Sequence, residues 1–262
     1  MNTSKTIKVI AITLMKETKR RIFIRKQLND IDLDVSFFDA INGVKERVFF
    51  HPDYNSFKRR LFYGKDLTEG EIGCFLSHRA VIQKIVSEKI EYCLVLEDDA
   101  VLLKNFSLIL SSLLNCSYPW DFVRFLGKPK IEKLTQRKLL KLFENYYLTR
   151  LATSPGGAYA YFITYAGAKK LLKALNEIYQ PIDSIMGHPW RSGLEVLTVQ
   201  PAVATWNKDF ESAIGDYRFE KNKLTGLMRL VYPFSIFAYK LHEGMMKKIY
   251  FYIKYFPEKN KC

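Results

Sequence analysis

The sequence predicts an α/β domain over residues 1–216, with a mostly parallel central sheet between helices, followed by a basic, aromatic, helical tail over 217–262. Three observations carry this. The chain opens on a β-branched run, I-K-V-I-A-I-T-L at Ile7 to Leu14, and passes directly into a charged segment with helical spacing. Cys93 to Leu96 is apolar without alternation and too short for a helix, which suits a strand covered on both faces. Residues 221–262 hold nine Lys or Arg against Glu243 and Glu258, so about half of the formal net charge of +14 comes from less than a fifth of the chain.

The elements follow in order. K-E-T-K-R-R-I-F-I-R-K-Q-L predicts the first helix, and Val35 to Ala40 a second strand closing on the turn I-N-G. Arg47 to Lys65 has little periodicity and reads as loop or short helices. Thr68 with Glu71 three residues on forms a capping box, and Ile72, Phe75, Leu76, Ala80, Ile82 and Ile85 recur at helical intervals behind it. The buried strand then ends in three consecutive acids, Glu97, Asp98 and Asp99. An extended piece, a helix and the strand-like W-D-F-V-R-F-L-G come next. The strongly basic stretch from Gly127 to Arg150 reads as a mobile excursion over the site. Gly156 and Gly157 break the chain ahead of a strand at Ala158 to Thr164 and a helix at Ala166 to Leu175. Pro181 to Met186 begins another helix with Asp183 in or near its first turn, where the macrodipole favours an anion. V-L-T-V-Q-P-A-V-A-T is a late strand.

A chain of 262 residues that is 48% hydrophobic and 15% aromatic can bury a large core, which excludes disorder as the default. It contains no run of eighteen apolar residues and its N-terminus shows no signal-peptide cleavage pattern, so a cytoplasmic chain is expected. The four cysteines form no C-x-x-C pair and no zinc spacing with histidine; Cys74 and Cys93 read as small buried hydrophobes. Residues 221–262 interleave nine aromatics with their lysines, a composition suited to an anionic membrane surface, here the inner membrane. No nucleic-acid reader motif accompanies the charge, so no nucleic-acid partner is expected.

Adjacent carboxylates at the end of a buried strand repel one another unless a cation or hydrogen bonds offset the repulsion. Ligands bind beyond the carboxyl ends of strands in open α/β sheets, and hard cations such as Mg²⁺ or Mn²⁺ take carboxylate oxygens while leaving positions for a phosphate. The order D-L-T-E-G-E-I-G-C-F-L-S-H, L-V-L-E-D-D-A, G-G-A-Y-A-Y-F-I-T-Y-A-G-A-K-K-L-L and P-I-D resembles glycosyltransferase family 25, the bacterial lipooligosaccharide glycosyltransferases, and I-A-I-T-L-x-x-E-T-K-R-R and F-F-D-A-I-N-G match its opening. Together these span roughly residues 7–216.

That resemblance implies a GT-A-like nucleotide-sugar domain in which Glu97 and Asp99 hold Mn²⁺ or Mg²⁺ on the donor diphosphate, with Asp98 between them. It also implies an inverting transfer of galactose or glucose from a UDP-sugar to lipooligosaccharide. Such a transfer needs one general base, and Asp183 is the choice, with Glu195 or Glu211 next. Thr13, Leu14, Ala40 and Gly43 lie at strand ends where a uridine could rest. Arg20 and Arg21 suit donor phosphate. Ser77 and His78 could reach the donor or order the acidic loop, and Gly156 and Gly157 permit close backbone approach to a ligand. Two other readings compete: a metal-dependent phosphoryl-transfer enzyme or nuclease, which needs a second cluster of metal ligands, and a non-catalytic membrane- or nucleic-acid-binding protein.

Overall fold

The computed structural model describes residues 6–128, 130–153, 155–210 and 224–254. The opening strand β1 (Ile7–Thr13) leads into helix α1 (Thr18–Asn29) and returns as β2 (Val35–Asp39), which pairs with β1 in parallel. A single 3-10 turn at Val48–Phe50 and the short helix α2 (Ser56–Tyr63) fill the aperiodic stretch that follows. Helix α3 (Glu69–Ser87) starts on the expected capping box: Thr68 Oγ1 accepts from the Glu71 amide at 3.1 Å and Glu71 Oε2 from the Thr68 amide at 2.8 Å. This satisfies two of the four unpaired amides of the helix start and fixes where α3 begins.

Beyond α3, β3 (Tyr92–Glu97) runs parallel to β1. The chain continues through β4 (Ala100–Leu102), α4 (Phe106–Asn115), β5 (Phe122–Arg124), β6 (Gln136–Phe143), β7 (Tyr146–Leu151), β8 (Ala160–Thr164), α5 (Tyr165–Ala174), α6 (Ile182–Met186), α7 (Pro189–Ser192), β9 (Val196–Gln200) and β10 (Ala204–Trp206). The main sheet has the order β2-β1-β3-β8-β5-β9-β7-β6, and β4 pairs with β10 in a separate ribbon. Of its eight strands only β8 and β7 run against the others, so the sheet is mixed but mostly parallel.

Both faces are covered. Cys93 and Val95 of β3 point to the layer holding Ile72, Phe75 and Ile82 of α3 and Leu171 of α5, whereas Leu94 and Leu96 point to the layer holding Ile24 and Leu28 of α1 and Ile109 of α4. The period-two alternation of a strand therefore buries every residue of C-L-V-L, each worth roughly 1.5–3 kcal/mol when it is a large aliphatic.

The basic stretch 127–150 departs from its reading as a mobile excursion. It forms a 3-10 turn at Ile131–Lys133 and the antiparallel hairpin β6–β7, which extends the sheet to its edge. Leu148 is fully buried and Leu139 nearly so, while the lysines of β6 stay on the outer side. Charge on such a strand keeps an exposed edge from pairing with another chain.

The expected tail helix is present as α8 (Leu227–Lys248), continued by a π-helical turn at Ile249–Lys254. Its inner face packs on the domain. Tyr239, 9% exposed, stacks on Phe62 of α2 with ring centroids 4.8 Å apart, meets Tyr63 OH at 2.7 Å and accepts from Arg191 Nη2 at 2.9 Å. Its own hydroxyl donates to Glu243 Oε1 at 2.7 Å. The outer face is apolar and exposed, from Leu227, Leu230 and Phe234 through Phe237, Leu241 and Met245.

Candidate active site

The three acids leave β3 in a turn that is held from several sides. Gln27 of α1 bonds both the Ala100 carbonyl (3.0 Å) and the Leu102 amide (2.8 Å), and the Asn207 amide donates to the Asp99 carbonyl at 2.7 Å. Neighbouring carboxylates then diverge, Glu97 at the end of the strand and Asp98 and Asp99 in the turn that follows it. Asp98 turns toward β1 and α1, where Oδ2 accepts from Thr13 Oγ1 at 2.7 Å and Oδ1 from Arg20 Nη1 at 2.9 Å. Glu97 and Asp99 turn the other way and line one cleft together with Cys74, Lys128, Tyr159, Asp183, Trp206 and Lys208.

The two cleft acids are differently placed. Glu97 Oε1 lies 3.1 Å from Nε2 of the fully buried His78, whose Nδ1 is 3.0 Å from Tyr161 OH, so a histidine on α3 and a tyrosine on β8 fix it. Asp99 Oδ1 is buried with no hydrogen-bond partner among the described residues. Burial first, then the charges of Glu97 and Asp98, push its carboxyl up to about 7, with Arg20 opposing. An orphaned carboxylate oxygen beside a second, oriented carboxylate is a donor set of hard oxygens that suits Mg²⁺ or Mn²⁺, and the residues present fit such an ion.

Asp183 joins this cleft from α6. Its Oδ2 accepts from the Gly157 amide at 2.8 Å. Both glycines are needed: Gly157 has φ +126°, and a Cβ on Gly156 would stand 2.7 Å from the same oxygen. The glycine pair thus seats the candidate base rather than only shaping a turn.

A neighbouring hollow at the carboxyl ends of β1 and β2 is lined by Leu14, Asp39, Ala40, Asn42 and Arg79, so Leu14 and Ala40 border a space wide enough for a nucleoside. Thr13 serves Asp98. Other expected donor residues are turned elsewhere. Ser77 is buried, donating to the Gly73 carbonyl at 2.7 Å and accepting from the Ile41 amide at 2.8 Å, so its hydroxyl ties α3 to the chain after β2 and reaches no ligand. Gly43 is a packing glycine, for a Cβ there would lie 1.9 Å from the Glu69 carbonyl oxygen. Arg21 pairs with Asp39 and covers Phe37, while Arg20 is the arginine that faces the acids. Of the alternative bases, Glu195 is engaged by Tyr118 OH and Arg150 away from the cleft, and Glu211 lies outside the described residues. The sequence did not single out Lys128, Trp206 or Lys208, which reach the cleft from loops and the small ribbon.

The sequence profile of glycosyltransferase family 25 (LPS biosynthesis protein) matches residues 6–186 of this chain. The chain belongs to that family. Among its relatives, the lipooligosaccharide biosynthesis protein lic2B of Haemophilus influenzae is 30% identical over 165 residues, 61% of this chain and 60% of that protein. Procollagen galactosyltransferase 1-A of Xenopus laevis is 28% identical over 178 residues, 63% of this chain and 28% of that protein. A probable inactive family 25 member 3 of Rattus norvegicus is 24% identical over 226 residues, 75% of this chain and 37% of that protein. The family 25 chain thus spans about a third of the length of the animal relatives, and membership embraces both transferases and inactive proteins. A solved glycosyltransferase involved in glycosylation of the major capsid of PBCV-1 superposes with a TM-score of 0.41 at 11% identity over 79% of this chain and 95% of that one, too distant to bear on activity.

Proposed function

We propose that this family 25 chain is an inverting glycosyltransferase that moves a hexose, galactose or glucose, from a UDP-sugar to a lipooligosaccharide acceptor, with Mn²⁺ or Mg²⁺ held by Glu97 and Asp99. The observation that supports it best is the meeting of Glu97 and Asp99, from the end of β3 and the turn after it, with Asp183 of α6 around one cleft. In the bound enzyme the divalent ion would supply charge neutralisation at the donor diphosphate. Lys128 and Lys208 line the same cleft and add positive charge for the phosphates. The hollow past Leu14 and Ala40 would take the uridine. Arg20 and Thr13 do not touch the donor in this reading; by saturating Asp98 they keep it from competing with its neighbours for the ion.

Asp183 would accept the proton of the acceptor hydroxyl as its oxygen attacks the anomeric carbon. The new glycosidic bond forms as the bond to the diphosphate breaks, and the Gly157 amide keeps the carboxylate aimed during the step. The rival phosphoryl-transfer reading calls for a second cluster of metal ligands. Among the described residues the single group of three ligand-bearing side chains shares Glu97 with this cleft.

The exposed apolar stripe of α8, flanked by Arg229, Lys240, Lys247 and Lys248, supports peripheral attachment to an anionic inner-membrane surface on the cytoplasmic side, where a lipid-linked acceptor would be met. No described helix is long and apolar enough to cross a membrane. Incubation with a panel of nucleotide sugars and Mn²⁺, scored for nucleotide release with and without acceptor glycolipid, tests the proposal. Acceptor-stimulated release from one UDP-hexose is expected, and no release from any donor contradicts it.

A further inference from the structure

Cys74 and His78 stand four residues apart on α3, so their side chains share one face of the helix. Opposite them is Glu97 at the end of β3, and the Cys74 thiol, a His78 ring nitrogen and a Glu97 carboxylate oxygen all lie within 4.8 Å of one another. Roughly tetrahedral zinc, with bonds of about 2.0–2.3 Å, needs its ligand atoms less than about 4 Å apart, a spacing that His78 Nε2 and Glu97 Oε1 already meet at 3.1 Å. The ring is already oriented for this. Nδ1 is engaged by Tyr161 OH at 3.0 Å, which leaves Nε2 facing Glu97, and a hydrogen bond on the far nitrogen is the usual support of a metal-binding imidazole. Cys74 and Glu97 border the cleft, so a fourth position would open to water or substrate.

A sulfur, a nitrogen and one oxygen make a softer set than the carboxylates proposed for Mn²⁺ or Mg²⁺, and thiolate with imidazole favours Zn²⁺. We propose that Cys74, His78 and Glu97 form a second cation site, selective for Zn²⁺, that overlaps the first through Glu97. Binding replaces the thiol proton, released to solvent, with a sulfur–zinc bond. An ion seated there draws Glu97 away from Asp99. Zinc therefore acts as an inhibitor that competes with Mn²⁺, a consequence that rests on the proposed function, whereas the binding itself does not.

The test titrates the full chain with Co²⁺ as a spectroscopic substitute for Zn²⁺ and follows thiolate-to-cobalt charge-transfer absorption in the near ultraviolet. One equivalent of cobalt should give the band, Zn²⁺ should abolish it, and Cys74→Ser should lack it while Cys93→Ser and Cys116→Ser keep it. Absence of the band in the wild type, or its survival in Cys74→Ser, overturns the site. In transfer assays with Mn²⁺ in excess, each protein scaled to its own zinc-free rate, Cys74→Ser should need at least about tenfold more Zn²⁺ for half inhibition. Equal zinc sensitivity of the two proteins overturns the overlap through Glu97. A protein that shows the band and transfers no sugar refutes the proposed function and leaves the zinc site standing.

Discussion

Asp183 receives the Gly157 amide on one oxygen and faces the cleft from the first turn of α6, so its chemistry can be separated from its packing. Asp183→Asn keeps the size and an acceptor oxygen for Gly157 but removes the basic carboxylate. Turnover should fall by roughly 10²–10⁴ with UDP-sugar affinity little changed, as measured by steady-state kinetics beside donor titration. Retained turnover would move the base elsewhere. The acids were legible at this scale as a cluster, because three charges ending a buried apolar run need an explanation whatever surrounds them. Which of them reaches the cleft was decided by partners distant in sequence. Thr13 and Arg20 claim Asp98, and adjacent Arg20 and Arg21 point to different acids, a division that turns on about 100° of helix rotation per residue. Cys74 reads as a buried hydrophobe and does pack, partly buried, against the core, while its approach to Glu97 depends on where β3 ends, which spacing along α3 does not show.

Elements meet through close backbone approaches that composition does not announce. Gly43 abuts the Glu69 carbonyl at the start of α3, and Gly73 lies against Ile41 and Gly43. Gly43→Ala should therefore destabilise the fold by about 1–3 kcal/mol or more, read from the urea midpoint, since backbone rather than a pliable side chain must yield. An unchanged midpoint would show that α3 can shift freely. The β6–β7 hairpin was misread because its lysines and arginines dominate the composition, although the buried Leu139 and Leu148 mark its inner side. The strand and helix signals of β1, α1, α3 and β3 were clear because each shows one strong period.

The docking of α8 carries a pH signature. His188 beside α7 is 5% exposed, with Nε2 3.3 Å from Glu243 Oε1, and burial lowers its pKa to about 4 against the opposing charge of Glu243. An unfolded chain takes up this proton below about 6.5, the folded one only near 4, so the contribution is full above 6.5 and declines as pH falls to 4. Its size is on the order of 3 kcal/mol at most. Urea unfolding from pH 7.5 to 4.5 should show a shallower loss in His188→Gln than in the wild type; identical slopes would assign the acid sensitivity to other groups.

For the whole molecule, the chain brings together an open hollow beyond β1 and β2, and a cleft holding an acidic turn and a candidate base, while α8 presents exposed apolar side chains between basic ones. Inward contacts through Tyr239 and Glu243 pack α8 on the domain, so removal of 221–262, which takes that helix, costs stability as well as surface. The double substitution Phe234→Ser and Phe237→Ser is the cleaner probe, since both rings are largely exposed. It should weaken co-sedimentation with anionic liposomes and leave the unfolding midpoint in place; unchanged co-sedimentation would discard membrane attachment through this face. The central claim is that Glu97 and Asp99 hold a divalent ion for the donor. Calorimetric titration with UDP in Mn²⁺ and again in chelator tests it most directly: binding should be strong only with the ion, and should be lost in Glu97→Ala with Asp99→Ala, whereas equal affinity in chelator would contradict it.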